Sequence, residues 1–359
     1  GHQFGHFSIL GDGRAHLIGE HIAPDGKRFD IQFKGSGQTP YSRNGDGRAA
    51  LAPMLREYII SEAMHALNIP TTRSLAVVST GESIMRSSLK EGAILTRIAK
   101  SHIRVGTFEY ANKMLDLEEL KALADYAIAR HYPELAHQEN PYFDFLKAVI
   151  ERQAKLVAAW MHIGFIHGVM NTDNMSIHGI TFDYGPYAFL DDFVPEYICN
   201  HSDHAGRYAF DQQPSVGLWN LNALAHAFAS FLEIDEIKSI LSTYEITLVN
   251  EYQTLMKQRL GFYEHAINDT QLVSEVDILI AEWMAILKEE KADFHQSFRL
   301  LSERLLSLEK LDLKVISDNF VQADRIRQWC VNYHEIQQSL LALSNDTWAQ
   351  VQQKMLAVN

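Results

Sequence analysis

A polar loop that directly follows a long predicted helix constrains this chain more than any other feature. Asn140 is followed by proline, which predicts a helix N-terminus, and the helical pattern runs to about Ile163. The loop then begins at His167 and reaches Asn174 and Asp183. These last two side chains carry oxygen ligands of the kind that Mg²⁺ or Mn²⁺ uses to hold phosphates. A short hairpin between them would bring both to one ion, although a polar turn without a metal is the ordinary alternative.

The loop resembles the catalytic and metal-binding loops of protein kinases, with one difference. Kinases have His-x-Asp, an Asn five residues after that Asp, and then Asp-Phe-Gly. His167, Asn174 and Asp183 match this pattern, but Val169 stands where the catalytic Asp is expected. Asp173 could deprotonate an attacking hydroxyl, or it could only support the neighbouring metal ligand. The chain is therefore an inactive kinase-like protein, or its scaffold catalyses a different reaction.

The first 110 residues are predicted to be rich in strands. A Pro-Asp-Gly turn predicts a hairpin, whose second strand has Phe29, Ile31 and Phe33 on one face and Lys34 on the other. Lys34 and Glu57 repeat the kinase order of a strand Lys that holds phosphate and a helix Glu that positions it. The predicted elements are strands at Ala15–Ile22, Phe29–Lys34, Thr71–Thr80 and Ala93–Ala99, and a helix at Leu51–Leu67.

From about Asp116 the pattern is almost wholly helical, and Asp116 with Glu119 predicts a capping box. The element order predicts an α+β, protein-kinase-like bilobal fold. A small β-rich N-lobe that binds nucleotide is expected over residues 1–110. A larger helical C-lobe over residues 111–359 is expected to carry the catalytic and metal loops.

Gly-Asp-Gly-Arg-Ala occurs at residues 11–15 and again at 45–49. Two ordinary Asp-Gly turns would explain the repeat, but glycine permits close approach to phosphate and arginine binds phosphate oxygens in pairs. Arg97 and Arg104 add positive charge beyond what a kinase needs. These cations, with Arg14, Lys34 and Arg48, favour a buried triphosphate whose leaving group is pyrophosphate.

Composition restricts the possible partners. The 359 residues carry a net charge of −13, which argues against a nucleic-acid-binding protein. Residues 1–110 nevertheless carry 13 Lys and Arg against 10 Asp and Glu, which favours a small anionic ligand in that half. No predicted segment suits a membrane, and the two cysteines fit a reducing compartment, so a cytoplasmic protein is expected. The first residue is not Met, and we expect the chain to be part of a longer protein.

Longer motifs identify a more specific resemblance, to the selenoprotein O family, whose bacterial members are also called YdiU. The resemblance covers nearly the whole chain and implies a kinase-like protein that binds ATP in a reversed orientation. It implies transfer of AMP to protein Ser, Thr or Tyr hydroxyls, with UMP transfer also reported for the family. The motifs are Gly1–Gly5, Leu10–Ala15, Lys34–Gly35, Thr39–Arg43, His167–Met175 and Asn200–Tyr208.

The same resemblance implies individual roles. Asp173 would be the proton acceptor, Glu57 would position Lys34, and Asn174 and Asp183 would bind Mg²⁺ or Mn²⁺. The redox-active Cys or selenocysteine of the family lies beyond this chain, so neither cysteine here is expected to have that role. A small-molecule kinase and a non-catalytic nucleotide-binding scaffold remain alternatives. The implied nucleotide-binding residues are Gly11, Gly13, Arg14, Lys34, Asp46, Gly47, Arg97, Arg104 and Asp183.

Overall fold

The computed structural model describes residues 1–9, 11–263, 270–344 and 346–359. The protein is of mixed α and β type, with its long strands before residue 100 and mostly helices after it. The strands are β1 (His2–Gln3), β2 (His6–Phe7), β3 (Ala15–Ile22), β4 (Arg28–Lys34), β5 (Ala49–Ala50), β6 (Arg73–Met85), β7 (Leu89–Ala99), β8 (Phe165–Ile166) and β9 (Ala188–Phe189). The helices are α1 (Leu51–Ala66), α2 (Val105–Met114), α3 (Leu117–His131), α4 (Pro141–His162), α5 (Gln213–Ala227), α6 (Ile234–Leu241), α7 (Thr243–Arg259), α8 (Thr270–Glu290), α9 (Phe294–Glu303), α10 (Leu305–Glu309), α11 (Lys314–Ser317), α12 (Ala323–Ser344) and α13 (Trp348–Val358).

The main sheet is antiparallel and contains five strands, with β4 between β3 and β7. The predicted β3–β4 hairpin is confirmed, and Lys34 lies opposite Ala15. Strands β6 and β7 are longer than predicted, because they continue as a hairpin beyond the apolar runs that indicated them. On the next strand, Arg97 pairs directly with Gln32. The register therefore brings Arg97 to the face of the sheet that also carries Lys34.

On strand β4 the polar side chains are more deeply buried than the apolar ones. The predicted alternation is present, but Asp30, Gln32 and Lys34 are the buried side chains, while the apolar ones are only half-buried. Each buried polar group has a charged or hydrogen-bonding partner. Arg130 binds Asp30, and Arg97 donates to Gln32. The polar face of β4 is therefore the one packed against the rest of the protein.

Helix α1 is confirmed, yet the apolar side chains that indicated it do not form its buried face. Ile59 is 64% exposed, and Leu55 is also exposed. The side that packs toward the sheet instead includes Met54, Glu57 and Ser61. Ser61 and Ser74 of β6 share a buried hydrogen bond of 2.7 Å. The helix is thus fixed to the sheet partly through polar contacts, which apolar spacing does not reveal.

Helix α4 is the centre of the largest apolar core. Its predicted cap is confirmed, since the Asn140 side chain accepts a hydrogen bond from the Phe143 amide at 3.2 Å. Trp160 near its end is buried and donates to Thr181 at 2.9 Å. The chain leaves α4 for β8 and then His167, so the helix fixes the position of the polar loop. None of the helices in the described ranges is long and apolar enough to cross a membrane.

The predicted capping box of α3 offers a test of local stability. Asp116 accepts a hydrogen bond from the Glu119 amide at 2.9 Å, and Glu119 accepts one from the Asp116 amide at 3.2 Å. Replacing Asp116 with alanine should lower the free energy of unfolding by about 1 kcal/mol. Glu118→Ala is the matched control, because it removes a charge from the same helix turn without removing a cap, and should cost about 0.3 kcal/mol. Equal losses in urea unfolding would show that only helix-dipole charge matters.

Candidate active site

A cavity of about 620 Å³ lies between the sheet and the loop that follows α4. Its wall is formed by the start of β3, the end of β4, the loop before β5, strand β7 and residues 169–183. Every predicted site residue except Glu57 lines it, and Glu57 lies buried behind Lys34. The predicted residues in the wall are Gly11, Gly13, Arg14, Lys34, Asp46, Gly47, Arg97, Arg104, Asp173, Asn174 and Asp183.

A buried charge network forms the floor of this cavity. Lys34 donates to Glu57 Oε2 at 2.7 Å and also contacts Asp183 Oδ1. Arg97 Nε donates to Glu57 Oε1 at 2.9 Å, and its Nη2 donates to Asp183 Oδ1 at 2.8 Å. Arg97 Nη1 is held by Gln32 at 2.9 Å. The sheet, helix α1 and the loop therefore meet at one set of ion pairs. The Lys34–Glu57 contact that the sequence predicts is one of them.

Asp183 is the most exposed member of this network. Its side chain is 35% exposed, whereas Glu57 is almost fully buried. Burial alone would raise the pKa of Asp183, but Lys34 and Arg97 outweigh it and hold the pKa well below its ordinary value. Both described hydrogen bonds use Oδ1, so Oδ2 is left for a ligand. Its φ of 60° is left-handed, a conformation that costs energy in residues other than glycine.

His167 joins the two halves of the loop. It is buried, and its Nε2 donates to the Phe182 carbonyl at 2.8 Å, while its Nδ1 accepts from the Val169 amide at 3.3 Å. This pattern requires a neutral ring, and burial lowers the pKa of His167 accordingly. His167 therefore positions the residue before Asp183 rather than acting as an acid or base.

Asn174 is oriented by Val169, the residue at the position of the missing kinase Asp. Asn174 Nδ2 donates to the Val169 carbonyl at 2.8 Å, which leaves the amide oxygen without a hydrogen-bond partner among the described residues. The predicted hairpin between Asn174 and Asp183 is present, since Met175 and Thr181 form an antiparallel bridge. Val169 thus contributes backbone rather than a carboxylate.

Asp173 lies in the short 3₁₀ turn Thr172–Asn174, against the start of α2. Its side chain is 14% exposed, and its Oδ2 has no hydrogen-bond partner in the described part of the chain. A Cβ on Gly106 would lie 2.2 Å from Asp173 Oδ1, so this close approach requires glycine. Burial raises the pKa of Asp173, although the amino group of Gly1, 3.7 Å from its Oδ2, and Arg104 act in the opposite direction. A carboxylate oxygen that accepts no hydrogen bond and whose pKa is raised can accept a proton.

The two copies of the pentapeptide repeat make similar ion pairs. Asp12 binds Arg104 through two hydrogen bonds of 2.9 Å each, and Asp46 binds Arg86 through two of 2.8 Å. The hydrogen bonds from Arg86 lower the pKa of Asp46 to about 2, so this group remains a carboxylate. Arg104 therefore reaches the cavity already paired, which the sequence does not predict.

The glycines of the repeat are used differently in each copy. Gly11 has a φ of 47°, and a Cβ there would lie 2.3 Å from the Tyr41 ring. In the second copy it is the later glycine, Gly47, that has a positive φ of 65°, and its Cβ would meet the Gly37 carbonyl oxygen at 1.9 Å. The identical residues therefore do not form identical turns. Leu10, the first residue of the longer motif, lies outside the described residues.

Sequence reasoning missed several functional candidates that lie in the cavity wall or, in the case of the buried Phe182, behind it. Asp12 and Arg86 were missed because their partners are distant in sequence. Phe182 has no charge to mark it, yet its ring lies 4.5 Å from the Arg97 guanidinium carbon and 5.1 Å from that of Arg104.

Arg43 lines the cavity, and like Arg14 it has no ion pair in the described ranges. Position within the motif Thr39–Arg43 was the only available signal for Arg43. Arg48 instead pairs with Glu82 at 2.5 Å.

The segment after the loop, residues 199–208, makes contacts that support the loop. Asn200 donates to the Gly168 carbonyl at 3.0 Å, and the Tyr208 hydroxyl donates to Asn171 at 2.6 Å. Cys199 in this segment is partly buried, and burial raises the pKa of its thiol to about 11. These contacts shape the backbone on which Asp173 and Asn174 lie.

Glu57 is predicted to be the most sensitive carboxylate of the network. Glu57→Gln leaves Lys34 and Arg97 buried with less compensating charge, and should lower the free energy of unfolding by about 3 to 5 kcal/mol. The matched control is Glu62→Gln, on the same helix, which removes a more exposed ion pair with Arg73 and should cost less than about 1 kcal/mol. Urea unfolding of both variants measures the difference. Similar losses would contradict the special role of burial.

Comparison with known proteins adds independent information. Residues 1–359 match the family described as "Protein adenylyltransferase SelO". The chain is 48% identical over 334 residues to a protein nucleotidyltransferase YdiU from Pseudoalteromonas atlantica, covering 93% of this chain and 68% of that protein. It is 54% identical to the protein of the same name from Halalkalibacterium halodurans and 52% identical to that from Nitrosococcus oceani, over 84% of this chain and 61% of each relative.

The chain thus spans about three-fifths to two-thirds of the length of these relatives. The match to the family covers the whole described cavity as well as the helices that follow it. The resemblance inferred from the sequence motifs is confirmed: this chain belongs to the SelO family of protein adenylyltransferases.

Proposed function

We propose that this chain transfers AMP from ATP to Ser, Thr or Tyr hydroxyls of proteins and releases pyrophosphate; UTP is a second possible donor. The observation that carries the proposal is the charge of the cavity. Seven Lys and Arg side chains line it against four Asp side chains. This excess suits a triphosphate. The Lys34–Glu57 contact, the position of His167 and the element order support a kinase-like two-lobed scaffold, with Val169 in place of the kinase base.

The triphosphate would be bound by cations from three parts of the fold. Arg14 enters from the start of β3 without a carboxylate partner among the described residues, whereas Lys34 and Arg97 are fixed by Glu57. Arg104 would exchange part of its contact with Asp12 for phosphate oxygens. Fixed guanidinium groups stabilise charge on the departing pyrophosphate without having to reorganise during the reaction. Asp46 and Gly47, at the other copy of the repeat, would contact the nucleoside.

A divalent cation fits the donors that the loop presents. The free amide oxygen of Asn174 and the free Oδ2 of Asp183 are both hard ligands in the cavity wall. Two protein oxygens supplemented by phosphates are characteristic of Mg²⁺ or Mn²⁺ sites. In the described ranges no group of three or more His, Cys, Asp or Glu side chains is placed to bind a metal by itself. When bound, the cation would neutralise phosphate charge and orient the α-phosphate.

The reaction then requires a base on the acceptor side. Asp173 would accept the proton of the substrate hydroxyl at Oδ2, which accepts no hydrogen bond from the described residues. The hydroxyl oxygen bonds to the α-phosphorus, and the bond from that phosphorus to the bridging oxygen breaks, so that pyrophosphate leaves with the bonding electrons. His167 and Val169 hold the loop in place and transfer no proton.

Label transfer tests the reaction directly. Incubation with ATP labelled at the α-phosphate should give labelled protein, and ATP labelled at the γ-phosphate should not, since pyrophosphate carries that label away. Intact-mass analysis should show an AMP adduct. Transfer of γ label without α label would identify a phosphotransferase and contradict the proposal. Absence of both labels, with ATP still bound, would favour a non-catalytic scaffold.

Asp173→Asn tests the assignment of the base. Transfer of the α label should fall by about 100- to 10,000-fold while ATP binding persists, because the amide cannot accept the proton. Asp318→Asn, an exposed change outside the cavity, is the control. In the unaltered protein, activity should fall on acidification at a pH above 3.8, because the base must be ionised and burial raises its pKa. Retained activity in Asp173→Asn would assign Asp173 a supporting role only.

A further inference from the structure

A second basic cavity shares no lining residue with the candidate active site. It measures about 400 Å³ and lies where the start of β4, the residue after β7, the end of α3 and helix α4 meet. It has no Asp or Glu among its lining residues. The wall consists of Lys27, Arg28, Phe29, Lys100, Ala129, Arg130, His131, Arg152 and His178.

Two of its five cationic side chains have no ion pair in the described part of the chain. Arg130 is held by Asp30, Arg28 by Glu20 at 3.3 Å, and Lys27 by a neighbouring Asp. Lys100 and Arg152 have no such carboxylate. Like Arg14 and Arg43 of the active site, these two cations are not neutralised by the protein, so an external anion is the partner that the geometry leaves open.

Arg152 is held in place without being neutralised. Its guanidinium carbon lies 4.3 Å from the centre of the Tyr132 ring, and its Nη1 donates to His178 Nδ1 at 3.2 Å. The remaining N–H groups keep the planar arrangement that suits paired phosphate oxygens. A fixed cation loses less entropy on binding than a free one.

The two histidines of the cavity are neutral neighbours of these cations. The rings of His131 and His178 meet edge to face, with centroids 4.5 Å apart, and neither Nε2 has a hydrogen-bond partner. Burial, followed by the surrounding positive charge, lowers the pKa of His131 to about 4 and that of His178 to about 3. An anion bound here would reduce the effect of the positive charge and raise both values.

An adjoining cavity of about 690 Å³ extends the basic surface. The two cavities share Lys100, Arg152 and His178, and the second adds Lys155 and Arg259 together with one acidic residue, Glu251. Lys155 is exposed and has no ion pair within the described ranges. The cations without partners therefore cluster where the cavities meet, with room for a ligand larger than a single phosphate.

We propose that this junction, centred on Lys100 and Arg152, binds a phosphate group, either of an inorganic polyphosphate or of a nucleotide. Lys100 belongs to the short segment that connects β7 to α2 and also carries Arg104 into the active site. A phosphate bound at the junction would therefore fix the segment at residues 100–104, whose Arg104 is proposed to contact the nucleotide in the active site. The site does not depend on the proposed reaction, because it shares no residue with the catalytic cavity.

Titration calorimetry of the full chain with tripolyphosphate tests the proposal. We expect a site whose affinity falls about tenfold in Lys100→Gln and again in Arg152→Gln, since each removes a charged hydrogen-bond donor. Lys90→Gln is the matched control, as an exposed lysine outside both cavities, and should change nothing. Arg14→Gln should weaken only binding in the active site. Lys100 is exposed, so its replacement does not threaten folding.

Imidazole NMR gives a local measurement. Tripolyphosphate should raise the pKa of His131 and His178 in the wild type, and not in the Lys100→Gln/Arg152→Gln protein. Repeating the titration with ATP identifies the source of the phosphate: a shift with ATP assigns the site to nucleotides, and a shift with tripolyphosphate alone assigns it to inorganic polyphosphate. Binding that only Arg14→Gln weakens, with both histidines unchanged, would overturn the proposal.

Discussion

The carboxylate of Glu57 is the group on which the candidate active site depends. One oxygen binds Lys34 and the other binds Arg97, so a single helical side chain holds two strand cations at the floor of the cavity. Three buried charges are costly to desolvate unless each is paired. Because the cost is so high, the positions of α1, β4 and β7 are coupled, and a shift of any one would leave a charge unpaired.

Asp183 extends this coupling to the loop. It shares both cations with Glu57 but remains open to the cavity, so it can exchange protein contacts for a ligand. Arg104 and Asp12 repeat the arrangement at the other end of the cavity. The cations that we propose to bind phosphate are thus already held in place by the protein's own carboxylates, which would preorganise the site for a nucleotide.

Much of this arrangement could be predicted from the sequence, and the limits have physical causes. The β3–β4 hairpin, the α4 cap and the Lys34–Glu57 pair follow from local turn chemistry or from the order of motif residues. The pairing of Asp12 with Arg104 does not, because it joins residues 92 positions apart and depends on the tertiary fold. Phe182 was missed because an aromatic residue gives no sign of stacking on cations. The base assigned to Asp173, the metal ligands and the two-lobed interpretation remain predictions.

Apolar spacing was a poor guide to burial in two elements that carry the site. In α1 the buried face combines Met54, Ile60 and Met64 with the polar Glu57 and Ser61, while Ile59 is exposed. The usual rule assumes that an element packs against an apolar core. Here the sheet packs part of its surface against a polar cleft, so the rule selects the wrong face.

Strand β4 shows what this means for sequence variation. Its buried positions 30, 32 and 34 each hold a different polar partner, and its half-buried positions 29, 31 and 33 hold apolar side chains. In an ordinary amphipathic strand the apolar positions tolerate substitution least. In β4 the polar positions should instead be the sensitive ones. Polar replacements would be accepted at the apolar positions more readily than apolar replacements at the polar ones. An insertion of one residue would exchange the two sets and disconnect the hairpin from Arg130, Arg97 and Glu57 together.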